Sequence, residues 1–538
     1  MNPPPAALAR NENLARALWI VVPALVASIM SGSIVLGCAF AGVALFVARP
    51  LPVPALLLGA WLLVAAIALI SPTNRAINPD ELLHAVAAHY YIDHWLPPRV
   101  DSPDIANTYS AYGASYLNEL DVAYLLAAKV GRFWATHGFD EVTSLRMFNV
   151  LLFGLLVLVA SVSKRSWPTC AVVLITPQIW YVFAYFNADA FGLFLSLIVT
   201  MLSAAPDSAV SRFIERSGTS VAALGTFAVA LGLLLLSKKN YLPVPFIATL
   251  VLALRHLGLG FPTALIGCVG VALLILGTVA GPALAYMLPI GDHVVVPGGI
   301  IAFVVFAARA SWTALRRPEL RSPLLRISSL LAFAVVVALP RLMVDLEING
   351  SPANKSVQMA EAAEKYAAAE YKPSTLANDP QNSYRGLGLA SKGVTFSELI
   401  GSPYEWWGRT WHSLFGVYGY LLVFAPTPLY YGLAITLLGL CVGIGTWAFR
   451  HPDSRSTLGI CVAGIGLVLL ASIVHSWAND LQGQGRYLFP GFAMIAMYLQ
   501  AQPAILKNRT IAVSLAGAFV LSALSIVTVA LPAFTGRY

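Results

Sequence analysis

Long apolar segments separated by short polar joints dominate this 538-residue chain. Helical segments of about 15 to 25 residues match the ~30 Å hydrocarbon core of a bilayer. Such segments begin near positions 54, 147, 169, 189, 219, 242, 262, 294, 327, 427, 457, 487 and 510. The pattern predicts an all-α polytopic membrane protein, a bundle of about 13 to 15 transmembrane helices.

The N-terminal region has a less regular pattern. The run 17–48 is too long for one straight span and short for two, and Ser31-Gly32-Ser33 interrupts it. We expect a tight helical hairpin here, with a single uncleaved span as the alternative. No small-residue cleavage site follows the apolar stretch in a suitable place, so a removed signal peptide is not indicated.

Basic joints orient the predicted spans. If the span 54–71 exits outward, the Lys- and Arg-containing joints all face the cytoplasm, in keeping with the positive-inside rule. These joints are 164–165, 212–216, 255–256, 309–326, 450–455 and 507–509. The predicted regions are a cytoplasmic N-terminus with the hairpin (1–53), a transmembrane core (54–345) that includes a first outward loop (72–146), a second outward loop (346–425) and C-terminal spans (426–538).

Both outward loops are long enough to indicate function, because structureless loops of this length are uncommon in compact proteins. The first contains two Tyr- and Trp-rich stretches, 80–95 and 116–134, which predict helices lying in the membrane interface. The second contains a predicted helix, 356–371, a polar stretch, and then an aromatic cluster that includes Trp406 and Trp407. That cluster would suit a sugar or lipid platform, and an ordinary aromatic belt at the headgroup level is the alternative.

Composition agrees with a membrane protein and excludes other classes. The chain is 58% hydrophobic and 11% charged, with a mean hydropathy of +0.75, whereas a soluble domain carries about 25% charged residues. The net charge of +8 fits basic cytoplasmic joints and contact with membrane lipids, and no motif indicates nucleic acid as a partner. All five cysteines lie in apolar runs without a CxxC, so neither a disulfide framework nor a zinc site is indicated.

The first candidate for chemistry is an acidic pair, Asp80 and Glu81, where the first core span ends. Charge at a membrane edge is costly and is often functional, although acids also favour a helix N-terminus. Helical spacing would place Asp80, His84 and Tyr91 near one face, with Glu81 beside His84. Glu81-x-x-His84 would alternatively be half of a metal site, but no partner ligands are evident.

Several short motifs, taken together, resemble the GT-C superfamily of membrane glycosyltransferases. The motifs are Pro79-Asp80-Glu81-x-x-His84, Ser144-Leu145-Arg146-Met147-Phe148-Asn149, Asn187-Ala188-Asp189, Ser237-Lys238-Lys239-Asn240 and Gln484-Gly485-Arg486-Tyr487-x-x-Pro490. The superfamily includes protein mannosyltransferases and the lipid A aminoarabinose transferase. The first and last motifs are closest to a bacterial branch that carries both. The chain departs from the transferases at 112–116, where they often have Lys-Pro-Pro.

The resemblance implies transfer of a sugar from a polyprenyl-phosphate carrier, on the periplasmic face of the bacterial inner membrane. The acceptor would be lipopolysaccharide, O-antigen, or another envelope glycan or lipid. Asp80 would be the base, Glu81 and His84 would orient it or the acceptor, and Asp189 would supply a second acid. The remaining expected substrate-binding residues are Tyr91, Asn187, Lys238, Lys239, Trp406, Trp407, Arg486 and Tyr487.

A cofactor is not required by this chemistry, and two other functions stay open. Some GT-C relatives use a divalent cation, and Asp80, Glu81 and Asp189 offer the oxygen ligands that Mg²⁺ or Mn²⁺ prefers. The alternatives are a lipid or glycan transporter and another membrane transferase, such as an acyltransferase or O-antigen polymerase. A transporter usually shows internal repeats and charges at the bilayer midplane, neither of which the sequence indicates.

Overall fold

The computed structural model describes residues 51–73, 77–215, 218, 220–287 and 292–535. Most of the described chain is helical, and the one sheet found there is a two-stranded antiparallel hairpin. An all-α membrane protein is therefore confirmed at the level of fold class. The predicted hairpin at 17–48 lies outside the described residues.

In the described ranges, thirteen α-helices lie up to the second long loop and nine lie within or after it. The helices up to that loop are α1 (Val53–Ile70), α2 (Glu81–Asp93), α3 (Ala123–Ala135), α4 (Glu141–Val162), α5 (Trp167–Cys170), α6 (Pro177–Ala184), α7 (Asp189–Ser203), α8 (Ala209–Ile214), α9 (Val221–Leu235), α10 (Pro243–His256), α11 (Phe261–Met287), α12 (Asp292–Arg316) and α13 (Pro318–Asn349). The later elements are α14 (Pro352–Tyr366), α15 (Pro373–Asn378), α16 (Phe396–Ile400), α17 (Trp406–Phe415), β1 (Val417–Tyr418), β2 (Val423–Phe424), α18 (Thr427–Arg450), α19 (Arg455–Ala478), α20 (Phe489–Ala501), α21 (Arg509–Ser525) and α22 (Leu531–Phe534).

Seven helices in the described ranges are long and apolar enough to cross a membrane, or eight if the bent pair 164–174 and 177–184 counts as one span. The predicted number of 13 to 15 is not confirmed. Several predicted spans are short helices: α7 and α9 have 15 residues, α10 has 14 and α20 has 13. At 1.5 Å per residue, about 15 residues reach only ~22 Å, less than the hydrocarbon core.

The bent pair brings polar groups into the core. The chain turns by 93° between 164–174 and 177–184, and the following break at 185–188 separates α6 from α7. Asn187 in this break is fully buried, and its Nδ2 donates to the carbonyls of Val182 (2.7 Å) and Tyr185 (2.9 Å). Its Oδ1 accepts from Ala190 N at 3.1 Å. These bonds satisfy broken helix ends that would be costly to bury unpaired.

The segments 71–73 and 77–140 meet the segment 350–426 at one end of the bundle, which we call the loop end. The Tyr109 and Tyr366 rings stack at 4.3 Å, and Ala368 N donates to Ala111 O at 2.9 Å. Gly113, at φ +73°, lies against α14 so closely that a Cβ would be 2.7 Å from Ala363 Cα. The two long loops therefore form one packed layer.

The helices within this layer only partly follow the expected pattern. The predicted stretch 80–95 contains α2, but 116–134 is not one helix. A short 3₁₀ turn covers Tyr116–Asn118, and α3 begins only at Ala123. Asp121 accepts a hydrogen bond from Ala123 N at 2.9 Å, so its side chain starts α3 and prevents a continuous helix.

Replacing Gly113 by Ala should loosen the contact between the two loops, because the new methyl group would overlap α14. We expect a loss of about 2 to 4 kcal/mol, from overpacking together with the unfavourable φ. Thermal unfolding and limited proteolysis of the loop end would measure it. Gly138→Ala is the matched control, since Gly138 also has a positive φ (+89°) but nothing lies within 4 Å of its would-be Cβ. Equal destabilisation by both variants would contradict the packing argument.

Candidate active site

Asp80 stands just before α2 with its backbone in the left-handed region, at φ 58°. Such a conformation is uncommon for a residue other than glycine and is often found at functional sites. The carboxylate accepts hydrogen bonds from Arg486 Nη2 (2.8 Å) and the Tyr420 hydroxyl (2.9 Å).

The surroundings of Asp80 keep it ionised. Burial by itself would raise the pKa of this carboxyl, but the nearby Arg486, His84 and the bonds from Arg486 and Tyr420 outweigh that effect and lower the pKa to about 2. The side chain is still 20% exposed. Asp80 is therefore a charged, reachable hydrogen-bond acceptor at neutral pH.

Arg486 reaches Asp80 from a 3₁₀ turn before α20, 406 residues further along the chain. Its Nη1 lies 3.4 Å from the Tyr185 hydroxyl. Its buried Nε has no hydrogen-bond partner within the described ranges. Pro79, Gln484 and Arg486 help to line a small cavity of about 20 Å³, a volume that admits about one water molecule.

A second ion pair joins Asp189, the first residue of α7, to Lys238. Asp189 Oδ2 accepts from Lys238 Nζ at 2.7 Å, and the other carboxylate oxygen is buried with no partner in the described chain. Tyr487 lies close to both cations: its ring centroid is 5.2 Å from Lys238 Nζ and 5.4 Å from Arg486 Cζ. The two acid–base pairs thus flank one aromatic side chain.

His84 is a buried, neutral member of this group. Its ring stacks on Tyr116 at 4.1 Å, and its Nδ1 lies 2.8 Å from the Tyr124 hydroxyl. Burial, followed by the positive charge of Lys238, lowers the pKa of His84 to about 3. Nε2 is buried without a partner in the described part of the chain. The imidazole can exchange hydrogen bonds here but does not carry charge at neutral pH.

Glu81, although adjacent to Asp80, has a different environment. Its carboxylate accepts from Arg146 Nε and Nη2 (both 2.7 Å), Asn78 Nδ2 (2.7 Å) and Phe186 N (2.8 Å). Arg146 also donates to the carbonyls of residues 68, 71 and 72. This fully bonded, buried pair connects α1, α2, α4 and the break before α7, and it acts as a structural clamp.

Other predicted site residues lie apart from this group. The Tyr91 hydroxyl accepts from Arg341 (2.9 Å), and Lys239 pairs with Glu119 (2.9 Å) with its side chain 71% exposed. Trp406 is fully buried and donates to Ser476 Oγ, so it packs the loop layer and offers no open platform. Its neighbour Trp407 is half exposed.

The carboxylates that would hold a metal do not converge. No group of three His, Cys, Asp or Glu side chains suited to a metal occurs among the residues described. Asp80, Glu81 and Asp189 each have a separate cation at 2.7 to 2.8 Å. This arrangement does not fit a bound Mg²⁺ or Mn²⁺, which requires several oxygen ligands around one point.

Tyr420, Tyr185 and Tyr124 were not predicted to belong to the site. Each reaches it from a different part of the chain, and tyrosine is common throughout the sequence, so no local spacing distinguishes them. Arg146 lies within a quoted motif, but its partnership with Glu81 depends on the packing of α4 against α2.

Comparisons with known proteins give no match: no family model, no curated protein and no solved structure matches this chain. The resemblance to GT-C enzymes therefore rests on the short motifs alone.

Breaking the clamp should destabilise the protein strongly. Arg146→Ala would leave Glu81 as a buried, unpaired charge, and we expect a loss of about 3 to 5 kcal/mol, seen as a lower midpoint in thermal unfolding. The control is His89→Ala, which breaks the exposed pair with Glu141 and should cost no more than about 1 kcal/mol. Comparable losses in the two variants would contradict the stabilising role of the Arg146–Glu81 pair.

Proposed function

We propose that this protein is an inverting membrane glycosyltransferase of the GT-C type that uses a polyprenyl-phosphate sugar. The observation that carries the proposal is the pair of ion pairs, Asp80–Arg486 and Asp189–Lys238, on either side of Tyr487. A lipid phosphate needs cations, and an acceptor hydroxyl needs a base. The cations Arg486 and Lys238 and the candidate base Asp80 lie in one cluster of polar side chains at the loop end of the bundle.

The cations are arranged so that a phosphate can take the place of a carboxylate. Arg486 has one buried donor without a partner, and Lys238 remains 22% exposed. A phosphate bound between them would accept charge-assisted hydrogen bonds from both. Drawing Arg486 away from Asp80 would also raise the basicity of that carboxylate, so donor binding and base activation would be coupled.

The proposed transfer is a single displacement at the anomeric carbon of the sugar. The acceptor hydroxyl gives its proton to the Asp80 carboxylate while its oxygen forms a bond to the anomeric carbon of the sugar. The bond between that carbon and the phosphate oxygen breaks, and the lipid phosphate leaves with the electron pair, stabilised by Arg486 and Lys238. His84 Nε2 would accept a hydrogen bond from the molecule that receives the sugar, or donate one to it.

The distribution of charge supports a site that faces the periplasm of a bacterial inner membrane. Helix α4 runs from the loop end to a basic joint at Lys164 and Arg165, and Arg450 and Arg455 lie where α18 ends and α19 begins. These basic residues are at the ends of their helices remote from the loops, and positive residues collect on the cytoplasmic side. The acceptor would then be an envelope glycan or lipid.

Replacing Asp80 tests the assignment of the base. We expect Asp80→Asn to lower transfer from a panel of polyprenyl-phosphate sugars by about 100-fold or more, since general-base catalysis contributes 10²–10⁴-fold. Asp93→Asn is the control, because Asp93 ends the same helix α2 and is exposed. Purified protein in nanodiscs would be assayed for transfer, donor binding and thermal unfolding.

The outcomes separate the proposals. Full transfer by a folded Asp80→Asn variant would remove Asp80 as the base. Failure of the wild-type protein to bind or use any of these donors would remove the glycosyltransferase proposal and favour a transporter.

Arg486→Lys should weaken donor binding about tenfold or more, because Lys cannot make bidentate contacts.

A further inference from the structure

Four tyrosines and an acid lie together beside Asp80, outside the donor site proposed above. Tyr112 contacts Tyr371 edge to face at 4.5 Å, and Tyr371 contacts Tyr384 at 4.9 Å. Tyr420 is within electrostatic range of Tyr371 and donates to Asp80. Asp480 is within electrostatic range of Tyr112 and of Asp80. The group therefore adjoins Asp80, the proposed base.

The backbone holds these side chains in fixed positions. Tyr112 lies in a tight turn closed by Ser110 N to Ala114 O (2.9 Å), and Tyr384 N donates to Glu370 O (2.8 Å). A β-bridge joins Leu387 to Asp480, and Leu481 N donates to Gly386 O at 2.9 Å. The group draws on both long loops and on the segment after α19, so it is complete only when these three regions pack together.

The chemistry of the group suits a sugar. Tyr112 is 45% exposed and Tyr420 is 42% exposed, so both rings can be reached from solvent. Aromatic faces pack against the C–H faces of sugar rings, and a carboxylate accepts hydrogen bonds from their hydroxyl groups. A lipid tail would instead require an apolar surface, which the Asp480 carboxylate does not provide.

A hydrogen-bonded chain connects the group to the donor site. Gln482 Nε2 donates to Asp480 Oδ2 at 2.6 Å, and Gln482 Oε1 accepts from the Tyr487 hydroxyl at 3.1 Å. Tyr487 in turn lies beside Lys238 and Arg486. Burial raises the pKa of the Asp480 carboxyl to about 6, so the group is still mostly ionised at neutral pH and can accept hydrogen bonds from hydroxyl groups.

We propose that Tyr112, Tyr371, Tyr384 and Asp480 form a saccharide-binding subsite that holds the acceptor glycan with a hydroxyl group directed to Asp80. The acceptor role rests on the proposed glycosyltransferase function, whereas saccharide binding does not. The acceptor is thereby specified as a sugar-bearing molecule, rather than a protein side chain or an unglycosylated lipid.

Binding of wild-type protein in nanodiscs to an array of oligosaccharides tests this proposal. The array would carry hexose, N-acetylhexosamine, heptose and amino-sugar oligomers. We expect some of these glycans to bind, and Tyr112→Ala or Tyr371→Ala to weaken that binding about tenfold. Asp480→Asn should also weaken it, whereas Tyr371→Phe, which keeps the ring, should retain most of it.

Two control variants remove equivalent groups elsewhere. Tyr431→Ala deletes a tyrosine that is 67% exposed on α18, and Asp453→Asn neutralises an exposed acid between α18 and α19. Neither should change glycan binding. Absence of glycan binding by the wild type, or equal binding by folded Tyr112→Ala, Tyr371→Ala and Asp480→Asn variants, would overturn the subsite. Thermal unfolding would establish that each variant is folded.

A parallel measurement of polyprenyl-phosphate sugar binding separates this inference from the proposed function. The Tyr112→Ala and Tyr371→Ala variants should bind the donor within about twofold of wild type, because the donor phosphate is assigned to Arg486 and Lys238. Glycan binding without donor binding would leave the subsite standing and remove the transferase. Donor binding and transfer without glycan binding would leave the transferase standing and remove the subsite. That result would favour an aromatic contact with lipid headgroups.

Discussion

Three acids at the loop end, Asp80, Glu81 and Asp189, are each paired with a separate cation, and the packing of the helices around them depends on this pairing. Glu81 is bound by Arg146, Asp80 by Arg486 and Asp189 by Lys238, at nitrogen–oxygen distances of 2.7 to 2.8 Å. An unpaired ion in an apolar interior costs several kcal/mol. The helices that supply these residues are therefore held in the one arrangement in which all three charges are matched, and this places the candidate site where α2, α4, α7 and α20 approach one another.

The three pairs differ in whether they can exchange partners. Glu81 and Arg146 are saturated by protein groups, with Arg146 fully buried. The other two pairs leave hydrogen-bonding capacity unused: Arg486 Nε and Asp189 Oδ1 are buried without partners in the described structure, as is Nε2 of the adjacent His84. Buried polar atoms without partners are rare, and each calls for an explanation such as an absent ligand. Other such atoms are spread through the described helices, but these three lie on side chains of the candidate site, whereas the Glu81 and Arg146 side chains have none.

The sequence predicted the class of fold and several members of this group, but not their roles. Hydropathy identified a helical membrane protein, and the cost of charge near a bilayer drew attention to Asp80 and Glu81. Two adjacent acids have the same local signal, however, and only the left-handed backbone at Asp80 and the position of Arg146 distinguish the reachable acid from the clamp. Tyr91 was expected on the face of Asp80, yet Asp80 lies before α2 begins, so helical spacing does not relate the two. Neighbouring tryptophans raise the same difficulty: Trp406 is buried and Trp407 is not.

The approach of Arg486 to Asp80 depends on a glycine that has no evident role in the sequence. Gly485 lies against α17 so tightly that a Cβ at this position would overlap the backbone of Leu414, and its N–H donates to Ser413 Oγ at 2.7 Å. Only a residue without a side chain allows the turn before α20 to come this close to α17. The preceding and following residues, Gln484 and Arg486, then line the cavity next to Pro79. In this way the second long loop, which carries α17, helps to set the distance between the Asp80 carboxylate and the Arg486 guanidinium. Packing of the second long loop against the turn before α20 is consequently part of the assembly of the candidate site.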